Sequence, residues 1–247
     1  MKFWGFLCLC ACLGYIESKK LPPYMKPCSR NDPKLNECAL KHGREAIPFL
    51  LKGDPKYKIP NFDPLLIERF EVNDQSNKAV GLSFVCNKCT ISGLKDVTLD
   101  DMRIDLKKKK IEADLTAKKI EITGKYNVTG KVLVLPINGN GDVDLTVTDV
   151  KLTMDIDYEL YKKKDKDHLK IKNMKLITEP SGSHIKLTNL FNGDKMLGDN
   201  MNNFLNENWK ELDKTFGPTI NEVISRIGTN LINSLSDQVP FDEIFTK

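Results

Sequence analysis

From about Leu65 the chain changes rhythm: apolar and polar residues alternate for more than a hundred positions, which is the period of half-buried β-strands. Met102, Ile104 and Leu106 are apolar at even positions, and after Lys107 to Lys110 the apolar set becomes Ile111, Ala113, Leu115 and Ala117. The lysine run therefore reads as a hairpin turn with a solvated tip, not as a nucleic-acid patch. Parity changes again across Lys118-Lys119, before Ile120 and Ile122. It changes once more across Asp149-Val150, where Val143, Leu145 and Val147 give way to Leu152, Met154, Ile156, Tyr158 and Leu160. A one-residue shift inside an unbroken strand predicts a β-bulge, which bends the strand and increases its twist. The sheet is thus expected to be curved. Asn138-Gly139-Asn140-Gly141 reads as the tight turn of a further hairpin, since Asn and Gly tolerate positive φ. No helix follows it, as a phosphate cradle would need, and Val143 stands where a calcium loop requires glycine.

Helical spacing flanks the strands. Between Asn36 and Lys52, Ala39, Leu40, Ala46, Ile47, Phe49, Leu50 and Leu51 recur at near-helical intervals, with Asn31 and Asp32 upstream as caps and Pro48 expected to bend or end the helix. Gly53, Pro55, Pro60 and Pro64 make the next segment an extended connection. Near the C-terminus, Leu197, Met201, Leu205, Trp209, Leu212, Phe216, Ile220, Val223, Ile227, Leu231 and Leu235 follow at steps of three or four. They predict one amphipathic helix, kinked at Gly217-Pro218. A helix of about 40 residues spans roughly 60 Å at ~1.5 Å each, and the strand pattern from Val143 to Tyr161 reaches a similar length at ~3.3 Å each. Elements of equal reach can bury one another along their lengths, so an α+β fold is expected: a long C-terminal helix wrapped by a highly curved antiparallel sheet. Imperfect filling of that wrap would leave an elongated apolar tunnel.

Composition adds limits. The 247 residues are 40% hydrophobic and 29% charged, with Lys+Arg 38 against Asp+Glu 34 and a net charge of +4. That balance excludes a disordered chain and a multi-pass membrane protein, and gives no case for nucleic acid. Met1-Lys2 followed by the apolar run Phe3 to Leu13 reads as a signal peptide, too short for a bilayer span. Residues 1–18 are assigned to it, with 19–247 as a single secreted domain. Three of the seven cysteines then leave with the signal, and Cys28, Cys38, Cys86 and Cys89 remain for an oxidising compartment. Four cysteines allow three pairings. Cys28 with Cys38 and Cys86 with Cys89 is preferred, the mixed pairings staying open. The first bridge would close a short loop and contribute about 2 to 3 kcal/mol. The second needs a local turn or bulge, because residues three apart point to opposite faces of a regular strand. Cys86-Asn87-Lys88-Cys89 lacks the further ligands of a zinc site and the βαβ context of a redox motif. Asn127-Val128-Thr129 is the sequon for a glycan on an exposed edge or turn.

The chain resembles the insect takeout and juvenile-hormone-binding protein family. The likeness is carried by Cys28 and Cys38 after a Pro-rich start, Gly53-Asp54, Ile59-Pro60 and Asp63-Pro64-Leu65. It continues in Leu190 to Lys195 with Leu197-Gly198, in Asn202 to Lys210, and in the closing Val239-Pro240-Phe241-Asp242. The resemblance implies a long helix in a curved antiparallel sheet, shared with tubular lipid-binding proteins. It implies carriage of hydrophobic ligands such as juvenile hormone in extracellular fluid, and a Cys28–Cys38 disulfide; Cys86 and Cys89 are not part of the pattern. Circadian or feeding roles are implied by the family alone and by no residue.

A secreted monomeric carrier for a hydrophobic small molecule is the leading reading, with no cofactor and no metal. Phe49, Ile67, Val132, Val134, Leu152, Met154, Phe204, Leu205, Trp209 and Phe216 are its candidate lining, although any one of them taken singly reads more readily as ordinary core. Tyr126 and Tyr158 are candidate orienting groups that sequence does not separate from surface residues. An enzyme is disfavoured: there is no Gly-x-Ser-x-Gly elbow, and nothing brings His42, His168 or His184 to a nucleophile. The alternative is an interaction module with a vestigial cavity, contacting a receptor or membrane surface through Lys107 to Lys110 and Lys162 to Lys164.

Overall fold

The computed structural model describes residues 19–74 and 81–247; the expected signal peptide lies outside them. In chain order the elements are β1 (Cys28–Ser29), α1 (Leu35–Leu50), β2 (Leu65–Asp74), β3 (Leu82–Ser92), β4 (Thr98–Asp105), β5 (Lys110–Val132), β6 (Leu135–Lys163), β7 (Lys166–Glu179), β8 (Gly182–Leu187), α2 (Lys195–Glu207), α3 (Trp209–Ser236), α4 (Phe241–Ile244) and β9 (Phe245–Thr246). A seven-stranded antiparallel sheet runs β2-β3-β5-β6-β7, with β4 on β5 and β8 on β6, while β1 pairs in parallel with β9. The fold is α+β, a long C-terminal helical segment wrapped by a highly curved sheet. At ~3.3 Å per residue the 29 residues of β6 measure about 95 Å along the strand. Lys195 to Ser236 gives only about 60 Å of helix. The longer ribbon can accompany the shorter rod only by bending.

The lysine hairpin lies as expected, between β4 and β5 with Asp105 opposite Lys110. Asn138 to Gly141 is not a turn. It lies within β6, with Asn138 opposite Thr129 and Gly141 opposite Tyr126, and the chain reverses instead at Leu133 and Val134 between Val132 and Leu135. Leu133 carries the reversal with φ +53°, so an apolar dipeptide without turn chemistry does the work expected of Asn and Gly.

The expected bulges at Lys118-Lys119 and Asp149-Val150 need a similar correction. The β5–β6 register is unbroken from Lys110–Asp157 to Val132–Leu135. Both strands change face together between the pairs Ala117–Val150 and Lys119–Thr148, and Asp149 takes φ +48° there. True register shifts occur in the flanking pairings, at Asn87/Thr90, Leu99/Asp101 and Asp157/Tyr158. The C-terminal helix is interrupted at Asn208 (φ −104°, ψ 20°), whereas Gly217 and Pro218 lie inside α3. At the N-terminus of α1 the expected caps do not close the helix: Lys34 is the cap residue and has no side-chain cap bond, while Asp32 Oδ1 accepts from the Lys34 amide. Pro48 lies in the last turn of α1.

Candidate functional site

Two packed cores close the ends of the wrap. The first joins Val72, Val128, Val132, Ile137 and Val143 of the sheet to Met201, Leu205 and Phe216. The second joins Ile156, Tyr158, Leu169 and Ile171 to Phe241 and Phe245. A smaller group holds Tyr57, Ile59 and Val239 together. Between the two cores, Leu115, Ile120 and Ile122 of β5 and Val147, Leu152 and Met154 of β6 carry the same apolar face. These six are half-buried and belong to neither core, while the smaller Ala113 and Ala117 and Val150 among them are buried. On α3, Ile224 is 37% exposed. The backbone explains this. The helix α3 runs along β7 and meets β2 and β8, strands at the margins of the sheet, but has little close backbone approach to β5 and β6. Its close backbone contacts with the sheet are thus at the sheet's margins.

Side chains from the helices bond directly to the margins of the sheet. Asn202 and Asn206 each accept from and donate to one residue of β8: Leu187 N–H (2.9 Å) and C=O (2.9 Å), then Ile185 N–H (2.8 Å) and C=O (2.9 Å). Ser225 Oγ accepts from the Leu176 amide and Asn233 Oδ1 from the Ile171 amide, both on β7. These bonds satisfy edge-strand groups that would otherwise be orphaned.

The candidate lining residues divide. Leu152 and Met154 lie on the half-exposed middle face. Val132, Leu205 and Phe216 are inside the first core, with Ile67 and Phe204 packed against it. Trp209 is half-buried, with Lys210 Nζ 5.7 Å from its ring centroid. Phe49 and Val134 are corrections: Phe49 is 51% exposed and stacked on Tyr24, and Val134 is 81% exposed at the β5–β6 turn. Pro48 and its neighbours end α1 outside the wrap, and the unforeseen reversal turns Val134 outward. Leu115, Ile120, Ile122, Val147 and Ile224 were not singled out from sequence. For the four strand residues the signal was nevertheless present, as the apolar positions on either side of the parity switch.

Polar groups near the cores are few. Tyr126 is buried and donates to the Thr188 carbonyl (2.7 Å), and burial pushes its pKa up to about 12. Tyr158 is buried in the second core with its hydroxyl unpartnered, its pKa also raised by burial. Asp213 of α3 has no hydrogen-bond or ionic partner among the described residues, and burial raises its pKa.

Cys28 is bonded to Cys38, and Cys86 to Cys89. The second pair lies at the β3 bulge, where Lys88 has φ +50°. His42 Nδ1 lies 3.4 and 3.5 Å from the two sulfurs of the first pair. Engaged in a disulfide, those sulfurs lack the thiolate charge that metal ligation requires. His168 is buried with Nδ1 donating to the Ser236 carbonyl (2.7 Å), and His184 is exposed on β8. Asn127 is exposed on the outer face of β5, in the sheet interior rather than at the expected edge or turn.

The profile of the haemolymph juvenile hormone binding protein family matches residues 6–246. The chain belongs to that family. Among its relatives is the circadian clock-controlled protein daywake of Drosophila melanogaster, 28% identical over 93% of this chain and 90% of the relative. The Drosophila yakuba daywake is 26% identical over 92% and 89%. The crystal structure of Epiphyas postvittana Takeout 1 superposes with a TM-score of 0.79 at 29% identity, covering 90% of this chain and all of that one. Membership of the juvenile hormone binding protein family makes this chain a binding protein, not an enzyme. Among the described residues no helix is long and apolar enough to cross a membrane.

Proposed function

We propose that the protein is a secreted, monomeric carrier that holds a hydrophobic small molecule, a juvenile-hormone-like terpenoid or a fatty acid, between the middle of the sheet and α3. The observation that carries this is the set of half-buried apolar side chains on the two longest strands, Leu115, Ile120, Ile122, Val147, Leu152 and Met154, left outside both cores. Apolar surface held open in the interior is costly unless something apolar covers it. At about 25 cal/mol per Å², a ligand offering ~300 Å² would gain several kcal/mol before the entropy of association is subtracted. Family membership supports the same ligand class. In this reading residues 1–18 are removed on secretion, and a glycan on Asn127 projects from the outer face without touching the lining.

Displacement of a fluorescent fatty acid by unlabelled terpenoids and fatty acids tests it, with saturable binding expected. Leu152→Trp should weaken affinity about tenfold or more while leaving the thermal midpoint unchanged or higher, because the indole fills open space. In a solid interior the same change would overpack and cost about 1 to 3 kcal/mol of stability. That outcome, or the absence of saturable binding, would sink the proposal.

A further inference from the structure

The β5–β6 hairpin outruns its neighbours. The pairing of β3 with β5 reaches only to Ser83–Thr129, and β8 leaves β6 at Val143–Leu187, followed by the single bridge Gly139–Leu190. Beyond these points, among the described residues, the strands pair with each other alone, Gly130 with Ile137, Lys131 with Pro136 and Val132 with Leu135. At the turn, Leu133 folds back against the first core while Val134 is 81% and Leu135 36% exposed. The first turn of α2 lies by the base of this hairpin: Leu190 bridges Gly139 of β6, and a Cβ on Gly198 would lie 3.7 Å from the Leu190 Cβ. There Met196 is 70% and Leu197 46% exposed. Lys131 on the hairpin and Lys195 next to Met196 are exposed, and neither has an ion-pair partner among the described residues. The first turn of α2 holds no acid, and the preceding Asp194 turns its carboxylate onto the Leu197 amide.

We propose that this end is a docking surface for a phospholipid bilayer carrying anionic headgroups. Val134, Leu135 and Met196 enter the interfacial layer, and Lys131 and Lys195 sit at headgroup level. Shape and charge select lipid over a protein partner. A projecting hairpin turn is convex and small, far short of the ~800 Å² per partner of a stable protein interface, whereas a few apolar side chains ringed by cations suit shallow, reversible membrane contact. The lysine-rich turns first considered for such contact lie at the opposite end of β5. Lys108, Lys162 and Lys163 there are paired with Asp105, Asp167 and Asp237. The inference does not require the carrier reading, because vesicle binding is measured with no ligand present.

Co-sedimentation with phosphatidylcholine vesicles, with and without phosphatidylserine, tests it. The protein should bind the anionic vesicles more tightly and lose that binding as salt rises. Val134→Asp should weaken binding about tenfold, Val134→Trp should strengthen it, and Lys131→Glu with Lys195→Glu should reduce only the salt-sensitive part. Because Val134 is exposed, an unchanged circular dichroism spectrum is expected for its variants. Failure of the parent protein to sediment, equal binding by Val134→Asp, or loss of binding only on reversing Lys108 and Lys164 would each overturn the proposal.

Discussion

A Cβ on Gly139 would lie 2.7 Å from the Tyr126 hydroxyl and 3.0 Å from the Leu190 Cα. This glycine exists for close approach, not for a turn. Gly139→Ala should therefore push Leu190 from the first core or break the Tyr126–Thr188 bond, lowering stability in urea unfolding by about 1 to 3 kcal/mol. A turn glycine at negative φ would tolerate the same change. Gly124 plays a comparable part, since a Cβ there would come within 2.8 Å of Cys86 Sγ and 3.1 Å of Cys89 Sγ. Asp213 works the other way, as an acid kept in an environment that disfavours its charge. Its pKa is raised by burial, so the folded state binds the proton more tightly than the unfolded one. Its contribution to stability is full below the ordinary carboxylate value, about 4, and falls as pH rises through the folded value. Asp213→Asn should raise the melting temperature at neutral pH, and the gain should vanish near pH ~3 in a series of thermal melts.

At the scale of elements, the exposed margins of a curved sheet must be closed, and here helix side chains close them. The amides of Leu176 and Ile171 on β7, and both backbone groups of Ile185 and Leu187 on β8, bond to Asn and Ser side chains of α2 and α3. On β4, Asn36 of α1 accepts from the Ile104 amide, and Arg44 donates to the carbonyls of Leu99 and Asp100. Replacing Asn202 and Asn206 together by Ala leaves buried groups of β8 unpartnered, at about 1 to 3 kcal/mol each where water cannot reach. The double variant should unfold at lower denaturant, and amide exchange at Ile185 and Leu187 should quicken first. Unchanged protection at those amides would show that the asparagines do not anchor β8.

Over the whole molecule, the cores at the two ends do different work from the middle. Phe216 is buried in the first core, and Phe216→Ala should cost about 3 to 5 kcal/mol in chemical denaturation whether or not ligand is bound. Substitutions on the middle face, such as Met154→Ala, should cost distinctly less in the free protein and more when ligand is present. Thermal melts with and without a bound fatty acid separate the two. The difference is expected because Met154 lies outside both cores and Phe216 inside one.

Period-two alternation from Leu65, the helical stripe from Leu197 to Leu235 and the lysine hairpin were all determined by local pattern, and through them so was the α+β class. These signals survive because side-chain period follows directly from backbone geometry. The reversal at Leu133 and Val134, the strand position of Asn138 to Gly141 and the break at Asn208 were decided by tertiary structure. Turn chemistry is a weak preference that packing overrides: Leu133 accepts positive φ because it reaches the first core. The division of one apolar stripe into buried ends and a half-exposed middle was likewise invisible along the chain. Leu152 and Ile156 look alike in sequence, yet Ile156 is buried with Phe241 and Phe245 in the second core while Leu152 lies outside both cores.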